Sequence, residues 1–131
     1  MVIEDDPTDV FLVREALGAH GLEVDLQVFE DGEAAITYVQ QLDRDASLVC
    51  PSLVLLDVNL PRADGFTVLR YLRGSRKCRN IPVIIVTSSD ALPDRTIARS
   101  LRADAYFQKP HSYDAFLTLG ALAHQLLGEP T

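Results

Sequence analysis

Leu53-Val54-Leu55-Leu56-Asp57 is apolar at four consecutive positions and then ends on a charge. A half-exposed antiparallel strand alternates apolar and polar residues, whereas a parallel strand covered by helices on both faces does not. Val83-Ile84-Ile85-Val86-Thr87 repeats the pattern, and Met1-Val2-Ile3 before Glu4-Asp5-Asp6 is a shorter version of it. The run Ala105-Tyr106-Phe107-Gln108 before Lys109-Pro110 closes in the same way, and Leu26 to Phe29 alternates like a shorter outer strand. Helical stretches between these strands supply right-handed crossovers. The expected fold is therefore α/β, a flavodoxin-like doubly wound sheet of five parallel strands in the order 2-1-3-4-5 with five helices.

The helices carry their own signals. Asp6 can cap the first, Pro7 suits its first position, and Asp9 favours the positive end of its dipole. Val10, Val13 and Leu17 then share one face, and Gly21 ends it. Asp31-Gly32 opens a second helix with Ala35, Val39 and Leu42 on its apolar side. After a polar loop from Leu42 to Ser52, the turn Pro61-Arg62-Ala63-Asp64-Gly65 launches a third helix with Phe66, Leu69 and Leu72 inward. Ile97 and Leu101 mark a fourth, and Ser112 can cap a fifth running to about Leu127, with Gly128-Glu129-Pro130-Thr131 as a stop.

Composition excludes several function classes. Twelve Lys and Arg against nineteen Asp and Glu give a net charge of −7, which opposes broad electrostatic binding to nucleic acid. No apolar run approaches the ~20 residues of a membrane span, and no signal-peptide pattern opens the chain, so a cytoplasmic location is expected. Cys50 and Cys78 form no CxxC pair and have no neighbouring His; they read as two reduced thiols. Residues 1–131 read as one domain with no output module.

Ligands of such a sheet bind beyond the carboxyl ends of its strands, near the point where strand order reverses. Strands one and three are neighbours in the expected order, so Asp5 and Asp57 meet there. Magnesium takes hard oxygen ligands and keeps some waters, so one or two carboxylates suffice. Asp5 and Asp57 can bind it directly, Glu4 directly or through water, and the Asn59 backbone carbonyl can add an oxygen. A carboxylate so held can attack a phosphoryl group in line, while Thr87 and Lys109 hydrogen-bond and neutralise the phosphoryl oxygens. Singly these signals are ordinary: an acidic triplet is often a helix cap, and Thr-Ser-Ser is usually a loop. Asp57 is more specific, because ending a buried strand on a charge is costly unless the charge is paired.

The chain resembles the receiver domains of two-component response regulators over essentially its whole length. The resemblance is carried by Val2-Ile3-Glu4-Asp5-Asp6-Pro7, Leu55-Leu56-Asp57-Val58-Asn59-Leu60-Pro61 with Asp64-Gly65, Pro82 to Thr87, and Ala105 to Pro110. It implies that Asp57 is the phosphoacceptor and that Glu4, Asp5, Asp57 and Asn59 hold Mg²⁺. It makes Thr87 the switch hydroxyl, Lys109 the site lysine and Tyr106 the aromatic that follows phosphorylation. It also implies a Lys109-Pro110 bond that is commonly cis, a histidine kinase as donor, and a receiver that catalyses its own phosphotransfer. Asp57-Val58-Asn59-Leu60-Pro61, the long loop before strand three and the run from Asn80 to Ser89 are similar to the stand-alone regulators paired with bacterial phytochrome-type kinases.

Two departures stand out. Only Met1-Val2-Ile3 precede Glu4, fewer residues than is usual for a first strand of this family. Asp104 and the stripe Arg95, Arg99, Arg102 are present, but the fifth helix has no Lys or Arg and is apolar over roughly 200° of arc. Phe116, Ala123 and Leu127 are expected to face the sheet, leaving Leu119, Leu122 and Leu126 as an exposed flank for a homodimer. A receiver that binds partners without phosphorylation is one alternative. A haloacid-dehalogenase-like phosphohydrolase is another, but it needs a second carboxylate where Asn59 stands.

Overall fold

The computed structural model describes residues 1–22 and 25–128; the Glu129-Pro130-Thr131 part of the expected stop lies outside them. Five strands, β1 (Val2–Ile3), β2 (Val28–Phe29), β3 (Val54–Leu56), β4 (Val83–Thr87) and β5 (Ala105–Gln108), form one sheet in the order β2-β1-β3-β4-β5. All four pairings are parallel, with Val2 opposite Leu55, Val54 opposite Val83, and Ile84 opposite Ala105. The expected topology is the observed one.

The unbroken apolar runs are explained by the two cores they separate. Ile3, Val54, Leu56, Val83 and Ile85 pack on one face with α2 (Gly32–Arg44), α3 (Gly65–Gly74) and α4 (Leu92–Ser100). Their neighbours Val2, Leu55, Ile84 and Val86 point to the other, against α1 (Pro7–Ala19), α5 (Tyr113–Phe116) and α6 (Leu119–Leu127). Successive side chains of a strand point to opposite faces, so two buried faces demand apolar residues at every position. Side chains of Asp6, Asp31, Asp64 and Ser112 accept backbone N–H groups at the starts of α1, α2, α3 and α5. These caps fix where each helix leaves the sheet edge.

The last helix corrects the expected partner face. It is interrupted at Leu117-Thr118, where the Thr118 hydroxyl donates to Ala115 O at 2.6 Å. Leu119 is fully buried, as are Phe116 and Ala123, while Leu122, Leu126 and Leu127 are half-buried against the α1 side of the core. On a helical wheel Leu119 lies only about 60° from Phe116, inside the core arc. Close approach to α1 draws it in, since a Cβ on Gly120 would stand 2.2 Å from Ala16 O. Asp104 stays exposed but is engaged within the chain: its carboxylate accepts from Val83 N at 2.8 Å and pairs with Arg73 at 3.3 Å. Every described peptide bond is trans, Lys109-Pro110 included.

The cysteines are the second correction, for Cys50 and Cys78 form a disulfide with a Cα–Cα separation of 5.8 Å. Register explains it. Val54 and Val83 are paired at the start of β3 and β4, and the two cysteines precede them by four and five residues respectively. The bond closes a span of 28 residues, for which loop-closure entropy gives roughly 3–4 kcal/mol. Reduction with dithiothreitol is expected to lower the unfolding free energy measured by denaturant titration by that amount, and Cys50→Ala to match the reduced parent. An oxidised and a reduced sample of equal stability would contradict this.

Candidate functional site

The carboxyl ends of β1, β3, β4 and β5 form one edge. Glu4 directly follows β1 and is only 4% exposed although ionisable, and Asp57 directly follows β3 at 7% exposed. Backbone bonds hold both: Glu4 N donates to Phe29 O at 2.9 Å, and Asp57 N to Ile3 O at 3.0 Å. Thr87, the last residue of β4, is wholly buried, and Lys109 follows β5 with its N–H on Thr87 O at 2.7 Å. Four residues far apart in sequence are thus fixed by one parallel ladder.

Lys109 is the centre of the cluster. Its ammonium donates to Glu4 Oε1 at 2.6 Å, Asp9 Oδ2 at 2.7 Å and Asp57 Oδ2 at 2.9 Å. An ammonium has three donors, and all three go to carboxylates. The other Asp57 oxygen accepts from Asn59 N at 3.1 Å. Asn59 thus contributes its N–H to the acceptor's orientation, a part that the sequence does not announce. Asp5 stands exposed at the mouth, and oxygens of Glu4, Asp5 and Asp57 lie within 4.8 Å of one another.

The charges do not balance. Burial first, then the neighbouring Asp57 and Asp9 carboxylates, push Glu4 up to about 9, against the pull of Lys109. Burial alone would also raise Asp57, but Glu4, Lys109 and the Asn59 N–H outweigh it and hold Asp57 below the usual carboxylate range. Burial opposes the charge on Lys109, yet its three carboxylate partners raise it well above an ordinary lysine. Glu4 is thus the carboxyl held toward its protonated form, and Asp57 the one held toward its anion. Glu4 Oε2 is buried with no hydrogen-bond partner among the described residues. An orphaned buried oxygen beside an exposed carboxylate fits a hard divalent cation, which would claim that oxygen and displace the proton.

The remaining site residues lie on the path outward from β4. Thr87 Oγ1 accepts from Ser89 N at 3.3 Å, and the Tyr106 hydroxyl donates to Ser89 O at 2.7 Å. Arg95 lies over the Tyr106 ring at 4.4 Å and pairs with Asp90 at 2.6 Å. Ser89 thus joins the buried hydroxyl to the aromatic on β5, a link absent from the motif reading. Asp9 is the other residue missed: its place in the first turn of α1 signals a helix dipole as readily as a lysine partner.

Comparison with known proteins agrees with this geometry. The response regulator receiver domain family matches residues 1–119. Response regulator Rcp1 of Synechocystis sp. is 32% identical over 109 residues, covering 83% of this chain and 74% of that one. The methanogenesis regulatory protein FilR2 of Methanothrix harundinacea, whose assignment is itself only probable, is 32% identical over 114 residues, 87% of this chain and 73% of its own. Among solved structures, the phosphorylated cyanobacterial phytochrome response regulator RcpA superposes with a TM-score of 0.86 at 27% identity, covering 99% of this chain and 94% of that one. The Mn²⁺-bound form of Rcp1 gives 0.84 at 30% identity, with the same coverage. The sheet order, the acidic edge and these matches make the chain a member of the response regulator receiver domain family, the domains of phosphorylation-based signalling.

Proposed function

We propose that Asp57 accepts a phosphoryl group from a histidine kinase in a Mg²⁺-dependent reaction. The observation that carries this is the excess of carboxylate around one ammonium: Glu4, Asp9 and Asp57 bond Lys109, with Asp5 beside them. An Asp57 carboxylate oxygen forms the new bond to phosphorus as the P–N bond of phosphohistidine breaks, and the departing imidazole nitrogen takes a proton. Lys109 and the buried Thr87 hydroxyl are placed to hydrogen-bond the phosphoryl oxygens. Glu4, Asp5, Asp57 and the Asn59 carbonyl would hold Mg²⁺, which when bound supplies the charge that lets anionic groups approach so acidic an edge.

Thr87 and Tyr106 act as the switch through Ser89. A Thr87 hydroxyl drawn to the phosphoryl group gives up Ser89 N, and Tyr106 holds the same residue by its carbonyl. The change is passed to the face of α4, β5 and the last helix, α5 with α6, and output goes through protein contacts rather than DNA. The kinase is of the bacterial phytochrome type, supported by the likeness to Rcp1 and RcpA. Self-association along α6 rests on Leu122 and Leu126 without Leu119. No helix among the described residues is long and apolar enough to cross a membrane. We place the chain in the cytoplasm with its kinase, where the Cys50–Cys78 bond is under reducing pressure.

Borohydride reduction after acetyl phosphate treatment tests the site, because it converts an aspartyl phosphate to homoserine. Homoserine is expected at residue 57 alone; homoserine at residue 5, 6 or 9 would contradict the assignment.

A further inference from the structure

We propose that Asp9 is a positioning residue that keeps the Lys109 ammonium over Asp57 once a cation and a phosphoryl group occupy the site. This inference rests on the phosphoacceptor reading above.

Asp9 sits in the first turn of α1, directly after the strand that delivers Glu4 and Asp5. Its carboxylate is 20% exposed, and the lysine it meets 100 positions away is 12% exposed. Three carboxylates share that lysine, but they are not equivalent. Glu4 and Asp57 belong to the cluster able to ligate a metal together with Asp5, and Asp9 does not. Occupancy by a divalent cation draws the charge of Glu4 and Asp57 toward the metal and weakens their hold on the ammonium. Phosphorylation then converts an Asp57 oxygen into the bridging oxygen of an acyl phosphate, and a phosphoryl oxygen takes over the donor released from Asp57. Throughout both changes the Asp9 carboxylate keeps its full charge and its bond.

A four-carbon lysine stem is flexible and has to be held to be useful. Carried on a helix whose Asp6 cap fixes its start, Asp9 provides an anchor that does not move with the chemistry. Its loss removes one charge-assisted hydrogen bond from a group that must be placed to within about an ångström.

The test compares the full chain with Asp9→Asn and Asp9→Glu in saturating Mg²⁺, with two readouts. The first is the proton–nitrogen correlation of the Lys109 ammonium by NMR, visible only while its protons are held. The second is the rate of Asp57 phosphorylation by acetyl phosphate per folded molecule. Asp9→Asn is expected to lose the correlation and to react about tenfold more slowly, with Asp9→Glu recovering part of both. A correlation retained in Asp9→Asn with an unchanged rate overturns the inference, as does a faster rate, which would make Asp9 a restraint on the lysine. If the parent takes up no phosphoryl group while the correlation still depends on Asp9, the anchor stands and the phosphoacceptor reading falls.

Discussion

Replacing Lys109 by methionine is expected to destabilise the fold by about 3 kcal/mol and to lower Tm by roughly 10 °C. The substitution keeps most of the volume and removes the only cation that bonds Glu4, Asp9 and Asp57 among the described residues. Two of those carboxylates are nearly enclosed by protein, so their charge has little access to water. Removing one member of a buried charge cluster costs far more than a surface pair is worth, because the desolvated partners remain. Part of the loss is offset by Glu4, which already leans toward its protonated form and takes a proton more firmly when Lys109 is gone. Millimolar Mg²⁺ should then stabilise Lys109→Met more than the parent, since binding to the folded state adds stability by mass action and the variant's site is the more anionic. Thermal unfolding with and without Mg²⁺ checks both statements. An unchanged Tm, or equal Mg²⁺ stabilisation in the two proteins, would show that Lys109 does not carry this compensation.

Gly65→Ala is expected to cost about 3 kcal/mol and also to impair phosphoryl uptake per folded molecule. A Cβ at Gly65 would stand 2.1 Å from Asp57 O and 2.6 Å from Val58 Cα, both backbone atoms. Nothing there is the far end of a flexible side chain, so α3 or the acceptor loop must move. Gly65 N also donates to Val58 O at 2.9 Å, tying the start of α3 to the loop that aims Asp57. The substitution thus reaches the acceptor through its own backbone, although residue 65 contributes no functional group. Denaturant unfolding together with acetyl phosphate uptake at matched folded concentration separates the two effects. A variant that unfolds and reacts like the parent would mean that this contact is not constraining.

Different parts of the molecule were legible in the sequence to different degrees, for physical reasons. Leu53 to Leu56 and Val83 to Val86 show their environment at every position, because both faces of a central parallel strand are buried. Asp57 is equally plain, as a charge placed where an apolar strand stops, whereas Lys109 follows the polar Gln108 and gains meaning only beside the other strand ends. Asp9 was ambiguous because one carboxylate in a first turn serves the helix dipole and a distant lysine alike, and only the fold brings position 109 within reach. Cysteine number and spacing alone do not reveal the Cys50–Cys78 bond. Neighbouring strands β3 and β4 place residues at similar offsets from paired positions side by side, so register was the relevant quantity. Leu119 failed for a smaller reason: on so apolar a helix, hydropathy does not locate the edge of the buried arc, and packing of Gly120 on α1 does.

Intact mass after incubation with acetyl phosphate, with and without Mg²⁺ and beside an Asp57→Asn control, tests the phosphoacceptor assignment most directly. One added phosphoryl group is expected in the parent with Mg²⁺, and none when either the metal or the Asp57 carboxylate is withheld. An adduct that survives in Asp57→Asn, or no adduct in a folded, Mg²⁺-loaded parent, would contradict it.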